Sequence, residues 1–158
     1  MEWMLLPLRR YVDFQGRSRR MEFWMFALLN VVVMTVIGAV LLAGFPWQEL
    51  IEAGETGIAP QLDMMNWGLL GTGGILYLLW WLGTIIPTTA VAIRRLHDRD
   101  MSGWWYGAVY IGSFLPLVNI LAMVGWLVLL VLFLLPGTDG PNRFGPDPKD
   151  PSQASVFA

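Results

Sequence analysis

Apolar positions in this chain fall into long blocks, not at the spacing of a half-buried helix or strand. Residues 23–44 and 67–93 contain no charged side chain, and each exceeds the roughly 20 residues that cross about 30 Å of hydrocarbon as a helix. Both are predicted to be transmembrane helices. In the first, Asn30 and Thr35 are the polar positions and Gly38, Ala39 and Gly44 the small ones. An intramembrane Asn is expected to hydrogen-bond a neighbouring helix, for a gain of about 0.6 to 2 kcal/mol. The second opens with Gly68, Gly71, Gly73 and Gly74, which favour close helix approach, and closes with Thr84, Pro87, Thr88 and Thr89. The proline predicts a kink near Thr84, with threonine hydroxyls serving the carbonyl it frees.

The third apolar block, residues 104–135, resists a simple count. One helix of its 32 residues would be about 48 Å long, and two full spans would need about 40 residues. Pro116 divides it: a short, partly inserted helix at 104–115, a turn at 116–119, and a final span at 120–135. Gly103 and Gly107 in GxxxG spacing suggest close packing at its start. The predicted fold is therefore all-α, a polytopic transmembrane helical bundle with two full spans plus a Pro-broken third apolar region. It forms a single integral membrane domain over residues 1–148, followed by a disordered tail, 149–158.

Between the blocks, residues 2–14 mix apolar side chains with Arg9 and Arg10, and Pro7 is expected to interrupt a helix. This is an interfacial segment, either a basic anchor on anionic lipid or a cover for the bundle's end. Ser18 is a candidate helix cap, with Met21 where a capping box would need Glu or Gln. The connector 45–66 carries Glu49, Glu52, Glu55 and Asp63 and no Lys or Arg, with Gly54, Gly57 and Pro60 as turn residues and a short helix expected at 47–53. Its carboxylates lack the ligand spacing of a calcium loop. Five arginines precede the first block, so the amino end is expected inside and the acidic connector outside.

Composition sharpens this picture. The chain has 158 residues, 56% of them apolar, with a mean hydropathy of +0.55 and a formal net charge of −2. The first block is longer than the apolar core of a cleaved signal peptide. With no cysteine and one histidine, His97, a zinc site is excluded, and no metal or cofactor is expected.

Candidate chemistry concentrates in residues 94–105, a charged island between apolar runs. Its His97, Asp98 and Ser102 do not suggest a catalytic triad, because adjacent helical residues point apart and no nucleophile elbow is present. Two readings remain. Arginines beside Trp104 and Trp105 at headgroup depth would bind lipid phosphate or an acidic partner. Alternatively, an internal Arg/Asp network would tie the island to the amino-terminal arginines and the tail. The candidate lipid- or partner-binding residues are Arg17, Arg19, Arg20, Arg94, Arg95, His97, Asp98, Trp104, Trp105 and Arg143. Asp98 is expected to pair with Arg94 or Arg95, and Arg17 and Arg20 to face lipid.

Three motifs together resemble the YhaH/YhaI-like family of small bacterial inner-membrane proteins, a domain of unknown function (the 805 family). They are Phe14-Gln15-Gly16-Arg17-Ser18-Arg19-Arg20-Met21-Glu22-Phe23-Trp24; Arg94-Arg95-Leu96-His97-Asp98 followed by Ser102-Gly103-Trp104-Trp105; and Pro136-Gly137 with Asn142-Arg143-Phe144-Gly145-Pro146. The resemblance implies a multi-pass protein of the bacterial inner membrane and brings no activity, substrate or cofactor. The expected function is non-enzymatic: an integral membrane protein whose cytoplasmic face binds anionic lipid or a protein partner, a second copy included. Nucleic acid is not among the expected partners. The alternative, a small transporter or channel subunit, would gather polar groups at mid-bilayer near Asn30, Thr84 and Asn119. It sits poorly with apolar runs that hold no ionisable group.

Overall fold

Uninterrupted apolar blocks satisfy their backbone groups most directly as helices, since each amide finds its carbonyl within the same segment. The computed structural model describes residues 2–58 and 62–150. Among these, six α-helices appear in the order α1 (Glu2–Arg9), α2 (Arg20–Leu42), α3 (Trp47–Thr56), α4 (Trp67–His97), α5 (Trp104–Gly112) and α6 (Asn119–Leu134), with one 3₁₀ turn at Leu62–Met64. The described residues hold no strand beyond an isolated bridge between Asn142 and Gly145. The protein is all-helical, and α2 and α4 are long and apolar enough to cross a membrane. Residues 151–158 of the expected tail and Pro60 of the connector lie outside the described residues.

Several local expectations are corrected. Pro7 does not interrupt α1; its missing amide forfeits one bond, to the Trp3 carbonyl, and the helix continues. Pro87 lies inside α4, which runs to His97 and so makes Arg94, Arg95 and His97 helical. The nearby threonines do not serve the freed Gly83 carbonyl. Thr84 Oγ1 donates to Trp80 O at 2.7 Å and Thr89 Oγ1 to Ile85 O at 2.8 Å, because each hydroxyl reaches the carbonyl one turn back on its own face. Beyond Gly112, Leu117 adopts a positive φ of 71° next to Pro116, and Asn119 opens α6 instead of closing the turn.

The chain divides into two compact units, one from the described residues of Met1–Leu28 and Ile85–Ala158, the other Leu29–Thr84. In the second unit, glycines admit leucines. A Cβ on Gly73 would lie 2.7 Å from Leu41 Cγ, and one on Gly44 2.7 Å from Leu70 Cγ. Trp80 Nε1 donates to Asn30 Oδ1 at 3.1 Å, the interhelical bond expected of that asparagine. In the first unit, Ala92, Leu96, Tyr106, Leu129 and Phe133 form an apolar core flanked by Phe23 and Trp24. Gly103, the first glycine of the GxxxG pair, meets Ile93 closely, whereas a Cβ on Gly107 would touch only Trp104, at an ordinary 3.6 Å.

Large apolar side chains cover much of the surface of the long helices, among them Val31, Val36, Ile75, Leu78, Leu79 and Leu82. Soluble monomers rarely expose contiguous apolar patches beyond a few hundred Å². Such faces suit hydrocarbon as the solvent.

Candidate functional site

The site begins with a mismatch inside the first unit: its buried side chains include Arg17, Arg94, Arg95, Asp98 and Glu22. Buried charges persist only where they are paired and hydrogen-bonded. Asp98, just past the end of α4, is the first hub. Arg17 Nη2 lies 2.9 Å from Asp98 Oδ1 and its Nε donates to the same oxygen at 3.0 Å, while Arg95 Nη1 donates to Oδ2. The remaining Arg17 donors reach Gly140 O and Thr138 O, each at 2.6 Å, and the Thr138 amide donates back to Asp98 O at 2.8 Å. Gly137 is required here because a Cβ would overlap the Asp98 carboxylate.

Glu22, in the first turn of α2, is the second hub. Arg94 Nη2 donates to Glu22 Oε1 at 2.6 Å and Ser18 Oγ to Oε2 at 2.7 Å. The Ser18 amide donates to Arg94 O at 3.1 Å, so this residue joins two segments instead of capping α2. Arg94 Nη1 also donates to the Asp13 carbonyl at 2.5 Å. Burial pushes the Asp13 carboxyl up, but hydrogen bonds from Arg10 and the Gln15 amide, with the charges of Arg10 and Arg94, outweigh it and hold the group below its usual range.

Arg95, joined by Arg20 and Arg99, also finishes α6. That helix has no basic residue in its last turn, and its terminal carbonyls have no intrahelical donors. Arg95 Nε donates to Phe133 O at 3.3 Å and Nη2 to Leu135 O, Trp24 Nε1 shares Phe133 O at 3.3 Å, and Arg20 Nη1 reaches Leu134 O at 3.3 Å. Arg99 Nη1 continues the row to Pro136 O at 2.5 Å. Cations at a helix carboxyl end also oppose its negative dipole end.

His97 turns to the other side. Its Nδ1 lies 3.2 Å from Gly16 O, an acceptor, so the neutral ring carries its proton on Nδ1. The ring stacks on Phe144 with centroids 3.9 Å apart and planes 4° from parallel. Asn142 Nδ2 donates to His97 O at 2.9 Å. Arg143 extends outward, its Nε 3.2 Å from Asp100 Oδ1 in an exposed pair. Arg19 stands over the Trp3 ring at 5.5 Å and donates through Nε to Pro148 O.

The ten sequence candidates thus separate. Arg17, Arg94, Arg95 and Asp98 are buried within the chain, Arg19 and His97 are half-buried, and Arg20, Arg143, Trp104 and Trp105 are exposed. One pairing follows expectation and one differs. Arg95 is the arginine that meets Asp98, while Glu22 takes Arg94, and Arg17 turns inward instead of towards lipid. Asp98 is held by arginines and His97 by Gly16 and Phe144, so they do not form a catalytic dyad. Among the described residues no group of three acidic or histidine side chains converges on a metal position. Sequence reasoning missed Asp13, Asn142 and Phe144 and left Glu22 outside the set. The signal for Glu22 was available: a carboxylate in the first turn of a membrane helix needs a cation.

The family described as "Protein of unknown function (DUF805)" matches residues 11–146. Inner membrane protein YhaI of Escherichia coli strain K12 is 41% identical over 149 residues, covering 94% of this chain and 97% of the relative. Inner membrane protein YhaH of the same strain is 36% identical over 149 residues, covering 94% and 98%. YiiR, an uncharacterized protein from that strain, is 28% identical over 153 residues, 87% of each chain. No solved structure matches.

Proposed function

We propose, from the premise that this chain belongs to the DUF805 family, that it is a non-enzymatic, multi-pass inner-membrane protein with a cytoplasmic amino terminus and a cytoplasmic face that contacts anionic lipid. In this reading α2 and α4 cross fully, and α5 with α6 forms a broken third element that returns the carboxyl end to the cytoplasm. The buried arginines act as struts. The exposed Arg20 and Arg143, together with Trp104 and Trp105, meet the headgroup layer.

The observation that carries the reading is the pair Trp104 and Trp105, 79% and 59% exposed where the charged island meets α5. Exposed tryptophans flanked by basic residues at the end of an apolar span are the pattern of the membrane interface. The relatives' membrane names support the compartment.

Lipid content and topology test it together. Replacing Arg20 and Arg143 by Gln is expected to lower co-purified phosphatidylglycerol, with losses on the order of 1 kcal/mol per arginine, and to cost little thermal stability because both side chains are exposed. Reporters after Ala158 and within the Glu49 to Asp63 connector are expected to read cytoplasmic and periplasmic. An unchanged lipid complement would refute the lipid contact; a periplasmic carboxyl end would refute the broken third element.

A further inference from the structure

An open pocket of about 390 Å³ lies in the first unit, between the last turns of α4 and the first of α5. Phe14, Ile93, Trp104 and Tyr106 supply most of its wall, and its other polar side chains are His97, Ser102 and Thr89, whose hydroxyl proton is engaged by Ile85 O. No Asp, Glu, Lys or Arg lines it. Nearby Arg94 and Arg95 are committed to Glu22 and Asp98. A charged ligand would therefore be desolvated here without a counter-charge, which is costly. The lining selects a neutral molecule.

Its polar groups specify more. With the Nδ1 proton engaged by Gly16 O, neutral His97 offers the lone pair of Nε2. Ser102 Oγ accepts the Trp104 amide at 3.4 Å and retains a proton to donate. With the Thr89 proton already engaged, the acceptor of His97 and the hydroxyl of Ser102 beside apolar walls suit a ligand hydroxyl attached to hydrocarbon. The volume lies near the lower end for ligand sites, which fits a small head and the start of one chain better than a two-chain phospholipid. Trp104 stands at this place largely exposed, and in the membrane reading above, on which this step rests, it marks headgroup depth.

We infer that this pocket binds a neutral, hydroxyl-bearing, single-chain lipid of the monoacylglycerol class. The head hydroxyls sit at His97 and Ser102, and the chain runs along Phe14, Ile93 and Tyr106.

The test uses the full chain in phosphatidylcholine nanodiscs and a 1-monoacylglycerol carrying a photoreactive diazirine on its chain, with labelled peptides mapped by mass spectrometry. Saturable labelling of the segments containing Ile93 and Tyr106 is expected, displaced by excess 1-monooleoylglycerol and not by phosphatidylglycerol. Gly107→Leu places a side chain in the pocket from a position with room for its Cβ, and is expected to reduce labelling about tenfold at unchanged thermal stability. Should that variant fail to fold, Ser102→Ala removes the hydroxyl and is expected to weaken labelling severalfold. Labelling that does not saturate, that spreads equally over the exposed residues 75–79 of α4, that phosphatidylglycerol displaces equally well, or that survives whichever of the two variants folds, overturns the assignment. The anionic-lipid contact is read separately, from the phosphatidylglycerol content of the Arg20 and Arg143 variants, so either proposal can fail alone.

Discussion

Each of the two units of this protein is held together internally by a different means. In Leu29–Thr84, glycines accept leucine side chains, and Asn30 with Trp80 supplies a polar contact between helices. In the other unit, two buried carboxylates organise three buried guanidinium groups, and the partners come from distant parts of the chain: Arg94 and Glu22 are 72 residues apart, Arg17 and Asp98 are 81 apart. Apolar side chains gain little from leaving lipid for one another, so helix contacts such as those of the first kind rest on shape and tolerate replacement that keeps shape. A buried ion pair behaves differently. Its net contribution is small against an apolar alternative, but losing one partner strands the other. The difference is one of tolerance: the glycine and leucine contacts yield gradually, and the charged cluster fails as a unit.

The largest expected effect breaks the cluster at its shared carboxylate. Asp98→Asn keeps the shape and removes the charge that faces both Arg17 and Arg95. A loss of about 3–5 kcal/mol is expected, the cost of an uncompensated buried charge. Denaturation in mixed micelles measures it, with Arg143→Gln alongside as an exposed-pair control expected to lose about 1 kcal/mol or less. If the two variants were destabilised equally, the distinction between strut and surface charge would fall.

How far the sequence carries this picture depends on the range of the interaction concerned. Hydrocarbon thickness sets helix length, so the blocks at 23–44 and 67–93 announce α2 and α4, and Pro116 marks the break before α6 through its missing amide. Pairing inside the cluster is a different matter. Spacing within α4 lets Asp98 face either Arg94 or Arg95, and the choice is made by Glu22 from another helix. Likewise α6 shows no basic residue of its own to cap its carboxyl end, and nothing local reveals that Arg20, Arg95 and Arg99 supply the donors. Phe144 and Asn142 belong to a motif in the tail, yet their partner His97 lies 45 or more residues earlier.

A smaller effect probes the apolar unit. Asn30→Leu removes the acceptor for Trp80 Nε1 at 3.1 Å and adds an apolar side chain of similar size. The expected loss is about 0.6 to 2 kcal/mol, in the range of interhelical hydrogen bonds in membranes. Measured in the same micelles, a loss matching that of Asp98→Asn would erase the contrast between the units. A loss within the stated range sharpens it.

The smallest effect asks whether the cluster's edge is electrostatic or merely packed. Asp13 is half-buried and takes Arg10 Nε at 2.9 Å and Nη2 at 2.7 Å, with Arg94 Nη1 farther off at 3.9 Å. Although burial pushes its carboxyl up, these bonds and charges hold it below the usual range in the folded protein. The folded state therefore binds this proton less readily than the unfolded chain, whose Asp titrates near about 3.9. The stabilisation is complete above that unfolded value and is lost as pH falls through the lowered folded value. Asp147, held low against its own burial by the Lys149 and Gly140 amides and by the charges of Arg17 and Lys149, contributes with the same sign, so the wild-type pH curve alone does not isolate Asp13. The difference between wild type and Asp13→Asn does. Thermal stability is expected to favour wild type slightly near neutral pH, by less than any effect above because the side chain is solvent-screened, and the two melting curves are expected to converge as the medium is acidified through the carboxylate range. A gap that persists unchanged into acid would mean that Asp13 holds Arg10 by shape and hydrogen bonding alone. The electrostatic cluster would then end at Glu22 and Asp98.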